Sequence, residues 1–268
     1  MTAAVEVEHL NAHYGARQVL HDVSLSVNEG EVMVIMGGSG SGKTTLLRHI
    51  LGLQRPTAGT IRVLGVDVVD GGSEVLQKIR RRIGVAFQSG ALLSSLSVGA
   101  NVMLPLREHT RLHPETMRIM MRLKLDFVEL GGAETLMPAE LSGGMVKRVA
   151  LARAIIMDPR VVFLDEPSAG LDPVIAAGID DLILRLRATG VTLVVVTHEL
   201  QSALKIADRI TILEQGRIVI SDTKSQILAS DDPRVRGLLN RTVRAVEHNP
   251  DTFLSQLTAA GADDEEPS

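Results

Sequence analysis

The chain has 268 residues, 45% hydrophobic and 22% charged, enough apolar material to bury one substantial core and to set disorder aside as the default. Its formal charge of -4 equals the charge of the four acids at 263 to 266, so the remainder sums to about zero and lacks the basic excess expected of a nucleic-acid-binding protein. There is no cysteine, which excludes disulfides, thiol catalysis and thiolate metal sites and fits a reducing compartment such as the cytosol.

The first residues, MTAAVEVEHL, have no basic n-region and no apolar h-region, so no secretory signal is expected. Val5 to Leu10, Val23 to Val27 and Val32 to Ile35 read as short strands separated by Gly and Asn-Glu-Gly turns. The longest apolar runs, such as Val32 to Met36, are about five residues, against the roughly 20 that a membrane-spanning helix needs. After the glycines of 37 to 42 the spacing becomes helical from Thr44 to Leu51 and stops at Gly52, a C-cap signal. From about 90 to 158 the pattern is helical, with Thr116 to Leu130 and Met145 to Ile156 as its clearest segments, and predicts an inserted helical subdomain. Val161 to Leu164 and Val191 to Val196 are short, Val-rich runs bounded by Pro or Gly and read as buried parallel strands. Ile210 to Leu213 and Arg217 to Ile220 flank Glu214-Gln215-Gly216, a hairpin signal, and the core sheet ends there. Residues 223 to 268 carry weak helical pattern and then an acidic tail whose end reads as disordered. No internal repeat is present, and the sequence predicts an α/β protein.

Gly37-Gly38-Ser39-Gly40-Ser41-Gly42-Lys43-Thr44 fits G-x-x-x-x-G-K-[ST] between a predicted strand and a predicted helix. Glycines there let backbone N–H groups curl around phosphate oxygens, and the helix N-terminus adds partial positive charge. Lys43 would reach the terminal phosphates and the Thr44 hydroxyl would ligate magnesium. Phosphoryl transfer also needs a second acid beside the metal and a group that places the attacking water. Asp165 and Glu166, closing the run Val161 to Leu164, supply both, with Glu166 polarising or deprotonating the water. His198 follows the Val191 to Thr197 run and would stand at the carboxyl edge of another strand, within reach of a γ-phosphate. His49 and His109 have no such setting and default to packing or surface roles.

Leu141-Ser142-Gly143-Gly144-Met145 opens a helical segment and forms a second anion-binding turn. It either binds another anion or completes a nucleotide held by a second subunit, and a two-fold dimer would satisfy both sites reciprocally. Its plainer role is a serine N-cap with glycine flexibility.

The order GGSGSGKTT, Gln88, LSGGM, VVFLDEP, SAGLD and TH resembles the ATPase family of ABC transporters over about residues 5 to 230. The resemblance implies a P-loop ABC ATPase fold: a mixed, largely parallel sheet core with an N-terminal antiparallel β subdomain and the inserted helices. It divides the chain into an ATPase domain at 1 to 230 and an extension at 231 to 268. It implies ATP and magnesium as cofactors, with Gly37 to Thr45 on the phosphates. Tyr14, the chain's one tyrosine, is similar to the aromatic that stacks on adenine, though it also suits a plain strand position. Gln88 resembles the glutamine that links magnesium to the membrane partner, Asp172 the acid of the dimer-interface loop, and His198 the switch histidine. The family's signature usually ends in Gln where Met145 stands here, but Ser142, Gly143 and Gly144 are intact, so activity should survive.

LSGGM, with FQSGALLSSLSV at 87 to 98, PLREHTRL at 105 to 112, LMPAELSGGM at 136 to 145 and DPRVRGLL at 232 to 239, is similar to the branch serving Mla/Mce-type lipid transporters. That resemblance implies a peripheral subunit on the cytoplasmic side of the inner membrane. Its expected partners are a second copy of itself, transmembrane permease subunits, an Mce-type lipid-binding protein and a small accessory protein. An importer of amino acids or other small solutes would share every hydrolytic residue, and a soluble ABC switch acting on nucleic acid would carry two cassettes or a long coiled coil, neither visible here. The apolar segment 89 to 106 suits a groove for a helix of the membrane subunit, the core of the helical subdomain, or both. Residues 231 to 268 are a regulatory or dimer-bracing extension or a frayed end.

Overall fold

The fold was taken from a computed structural model, in which the structure describes residues 2–246. The acidic tail at 263 to 266 lies outside the described residues. The chain divides into two compact units, Met1–Lys224 and Ser225–Ser268.

The first unit starts with long antiparallel strands β1 (Ala3–Tyr14) and β2 (Arg17–Asn28), joined at Gly15, whose φ of 57° suits a tight turn. After β3 (Val32–Met36) and helix α1 (Lys43–Ile50) come β4 (Ala58–Val63) and β5 (Val66–Asp67), which complete an antiparallel sheet in the order β2-β1-β4-β5. Then follow α2 (Gly72–Arg80), β6 (Ile83–Ala86), α3 (Val98–His109), α4 (Pro114–Phe127), α5 (Gly143–Ala154), β7 (Val161–Asp165), α6 (Pro173–Arg187), β8 (Thr192–Thr197), α7 (Leu200–Ile206), β9 (Arg209–Glu214) and β10 (Arg217–Thr223). The second sheet runs β10-β9-β3-β8-β7-β6 and is parallel except for β10, the return strand of the expected hairpin.

Every residue of β3, β7 and β8 is buried, as in central strands with apolar middles covered on both faces. Val34 pairs with both Val195 and Ile210, which fixes the centre of the sheet. Helix α1 packs on β2 and β4 of one sheet and on β7 and β8 of the other. One core therefore joins Val7, Leu20 and Ile61 from the first sheet, Leu46 and Ile50 from α1, and Ile35, Phe163 and Val194 from the second. Fully burying each of these large side chains contributes about 1.5–3 kcal/mol.

Helices α3, α4 and α5 pack on one another, and α5 also lies on β6. In the apolar segment 89 to 106, Val98, Val102 and Leu106 are buried in the helical layer, as the core reading expects, whereas Leu93 is 46% exposed. Asn101, fully buried, clamps the turn ahead of α3: its amide donates to the carbonyls of Leu93, Leu96 and Ser97 and its oxygen accepts from the Leu93 N–H.

In the second unit, α8 (Lys224–Ala229) crosses the unit boundary and α9 (Pro233–Val246) follows it. Asp232 accepts from the backbone and guanidinium of Arg234, which holds its carboxyl at about 2.

Candidate functional site

In the second sheet, β3, β8, β7 and β6 are consecutive neighbours running the same way. Their carboxyl ends are Met36, Thr197, Asp165 and Ala86, so Gly37, His198, Glu166 and Gln88 leave one sheet edge side by side. An open α/β sheet binds ligands at such an edge.

The loop from Gly37 to Gly42 turns sharply before α1. Gly42 has a φ of 106°, and a Cβ there would meet Leu20 Cδ2 at 2.8 Å; one on Gly37 would meet the Leu213 carbonyl at 2.2 Å. Glycine is thus demanded by conformation at the first position and by space at the second. A cleft of about 260 Å³ beside the loop is lined by Tyr14, Arg17, Val19 and residues Gly40 to Thr45. Gly38 and Ser39 are exposed on the same loop, while Ser41 Oγ is buried without a hydrogen-bond partner. Tyr14 is 46% exposed, and its hydroxyl donates to Gln54 Oε1 at 2.9 Å and accepts from Arg48.

Lys43 is buried, with Nζ donating to the carbonyls of Gly37 at 2.8 Å and Gly38 at 3.1 Å and lying 3.9 Å from Glu166 Oε1. Burial lowers its pKa, and the charges of Glu166 and Asp165 partly offset this. Asp165 is also buried, and its Oδ1 has no partner. Burial, then the adjacent Glu166 charge, pushes its carboxyl above the ordinary value.

Glu166 sits in the left-handed region with φ of 50°, an uncommon conformation for a residue with a side chain. Its N–H donates to the Val196 carbonyl at 2.8 Å, and its Oε2 meets His198 Nδ1 at 2.9 Å. One carboxylate is therefore shared between a histidine on one side and the loop lysine on the other. Ser168, fully buried on the stretch after Glu166, donates to Glu199 Oε2 and ties that stretch to the residue after His198.

Gln88 is exposed in the turn after β6, and its backbone carbonyl accepts from Lys147. The orphaned Asp165 oxygen, the exposed Thr44 hydroxyl and the Gln88 amide fit a hard cation that shares its shell with phosphate oxygens. Among the described residues no group of three or more His, Cys, Asp or Glu could hold a metal ion.

Ser142 is not among the residues lining the Lys43 cleft. It is exposed and caps α5, its Oγ accepting from the Met145 N–H at 3.3 Å, so the plain capping role is realised within the chain. Gly143 is exposed, and a Cβ on Gly144 would meet Ile175 Cγ2 at 2.6 Å. Asp172 caps α6 by accepting from the N–H groups of Val174 and Ile175, both at 3.0 Å. His49 is buried with Nδ1 on the Gln54 carbonyl, a packing histidine.

A family model described as "ABC transporter" matches residues 20–169. The chain belongs to the ABC transporter family. The intermembrane phospholipid transport system ATP-binding protein MlaF of Haemophilus influenzae is 42% identical over 232 residues, covering 86% of this chain and 88% of that protein. The "Probable ribonucleotide transport ATP-binding protein mkl" of Mycobacterium leprae is 39% identical over 241 residues, 90% of this chain and 70% of that one. Among solved structures, the dimeric post-hydrolysis state of the ATP-binding cassette MJ0796, bound to ADP and phosphate, matches with a TM-score of 0.77 and 34% identity, covering 82% of this chain and 98% of that one. As an ABC transporter ATPase the chain binds and hydrolyses ATP. Among the described residues no helix is long and apolar enough to cross a membrane.

The sequence reading missed contributors that carry no motif. Gln54 and Arg48 seat Tyr14, and Lys147 and Arg153 of α5 bond to the turn after β6. No local pattern marks them, because each partner lies far away along the chain.

Proposed function

We propose that this ABC ATPase powers the movement of phospholipid between the membranes of a cell envelope, working as a pair of identical chains on the cytoplasmic face of the inner membrane. The observation that carries the hydrolytic part is the chain of contacts from Lys43 through Glu166 to His198 beside the partnerless Asp165 oxygen. The lipid assignment draws on the likeness to MlaF over most of both chains.

In this reading the backbone of Gly37 to Thr45 cradles the phosphates, with Gly38, Ser39, Gly40 and Ser41 forming the curl, and Lys43 neutralises the terminal ones. Tyr14 stacks on the base and contributes affinity with little base selectivity. Thr44, Asp165 and Gln88 would hold magnesium, which when bound would offset the negative charge of the phosphates. Glu166 takes the proton of the attacking water, and His198, fixed by Glu166, contacts the γ-phosphate. Ser142, Gly143 and Gly144 close on the nucleotide of the second chain, and Asp172 shapes the loop that meets it. The exposed apolar pair Val174 and Ile175, 82% and 37% exposed, flanks that loop and suits a surface covered in a dimer.

Transmembrane permease subunits dock on the segment from 89 to 106, and an Mce-type protein and a small accessory protein complete the assembly. The full chain, tagged and extracted in its intact membrane complex, should bring down an Mce-type subunit and phospholipid. A complex holding a solute-binding lipoprotein or ribonucleotide, with no Mce-type component, would overturn the lipid assignment and leave the ATPase reading standing.

A further inference from the structure

Lys147 stands one turn inside α5, the helix opened by the Ser142-Gly143-Gly144 turn. Its ammonium donates to the Glu166 carbonyl at 2.7 Å and to the Gln88 carbonyl at 2.5 Å. It is half-buried, and burial lowers its pKa against the pull of Glu166, Asp165 and Glu199. An ammonium offers three rotatable donors from one point, so it serves two carbonyls on different segments.

Glu166 must keep a left-handed backbone to aim its carboxylate between His198 and Lys43. A side-chain-bearing residue stays in that region only when its surroundings over-determine it. Its N–H is fixed by Val196 of β8, and its carbonyl is fixed by Lys147 of α5. Arg153, further along α5, donates to the Gly90 and Ala91 carbonyls and fastens the same turn that carries Gln88. Of these two cations, only Lys147 reaches Glu166 as well.

We propose that Lys147 is a positioning residue for hydrolysis. It holds the Glu166 backbone and the Gln88 turn in register with α5, so that a shift of the Ser142 turn onto a nucleotide is passed to the water-activating carboxylate of the same chain. This rests on the reading of Glu166 given above. The lysine stem lines a cavity of about 10 Å³ with Ala86, Phe87, Ala150 and Leu164, an apolar setting that accepts a methionine stem.

The test is steady-state ATP turnover and equilibrium ATP binding of the full chain, with Tm as a control for folding. Lys147→Met should lower kcat roughly tenfold or more while KM stays within about twofold, the pattern of a group acting on the chemical step. Lys147→Arg, which restores charge and donors, should recover about a third or more of the parental kcat. Parental turnover in Lys147→Met, a matching loss of ATP binding, or an arginine variant no better than the methionine one would overturn the positioning role. Glu166→Gln separates the two layers: if it hydrolyses normally, the reading of Glu166 fails, and if it is inactive while Lys147→Met is unimpaired, only the role of Lys147 fails.

Discussion

Glu166 concentrates three demands on one residue: a left-handed backbone, a carboxylate bonded to His198, and a buried lysine 3.9 Å from its other oxygen. Glutamine preserves shape and the bond to His198 while removing the proton acceptor. Glu166→Gln should therefore slow turnover by about 10²–10⁴-fold, with ATP still bound and a nucleotide-loaded dimer accumulating on size-exclusion chromatography. Lys43→Ala removes the cation instead, and the loss of charge-assisted bonds of about 1.5–3 kcal/mol should weaken ATP affinity by isothermal titration; an unchanged affinity would contradict the assignment. Away from the site, Asp180 is buried and accepts from Ser202, which joins α6 to α7. Burial raises its folded-state pKa above the unfolded one, so the folded state holds the extra proton and stability falls as pH rises from the ordinary carboxylate range through the folded value. Asp180→Asn keeps an acceptor for Ser202 and removes that dependence. Thermal melts across pH should show its Tm level with the parent at low pH and above it at neutral pH, by about 2–4 °C for each kcal/mol recovered in a domain of this size.

At the scale of elements, segments whose pattern is contiguous were legible in the sequence. Val161 to Leu164 became β7, Thr44 to Leu51 became α1 shifted by one residue, and the hairpin at 214 to 216 joins β9 to β10. β1 and β2 run longer than their apolar cores, because antiparallel pairing carries polar residues along and bulges such as that near His9, φ 52°, let the pairing continue. β6 escaped notice because four residues containing Gly84 make too short a pattern, yet it carries Gln88 to the edge. α6 announced itself through Asp172-Pro173, an N-cap followed by an N1 proline, a signal that was present but overshadowed by the motif around it. The loop from Gly37 to Thr44 could be read because its residues are neighbours in sequence; the bonds of Lys147 could not, since folding alone brings 88, 147 and 166 together. Two loops invite direct tests. Gly42→Ala forces a side chain into φ of 106° and against Leu20, and should lower Tm and ATP affinity together. Asn101→Ala strands the groups around Leu93 and should destabilise the fold by about 2 kcal/mol or more in urea unfolding.

For the molecule as a whole, the proposed function has two chains meet so that the phosphate loop of one and the Ser142 turn of the other serve one nucleotide. Val174→Asp, at an 82% exposed position beside Asp172, should impair ATP-driven dimerisation by light scattering in the Glu166→Gln background while leaving ATP affinity of the single chain unchanged. Equal dimerisation would remove that face from the interface. The chain has one tyrosine and no tryptophan, and that tyrosine lines the cleft beside Lys43. Its ultraviolet emission therefore reports from a single known place. A base stacked on the phenol should quench it, so nucleotide arrival and departure can be followed in real time on the unlabelled protein.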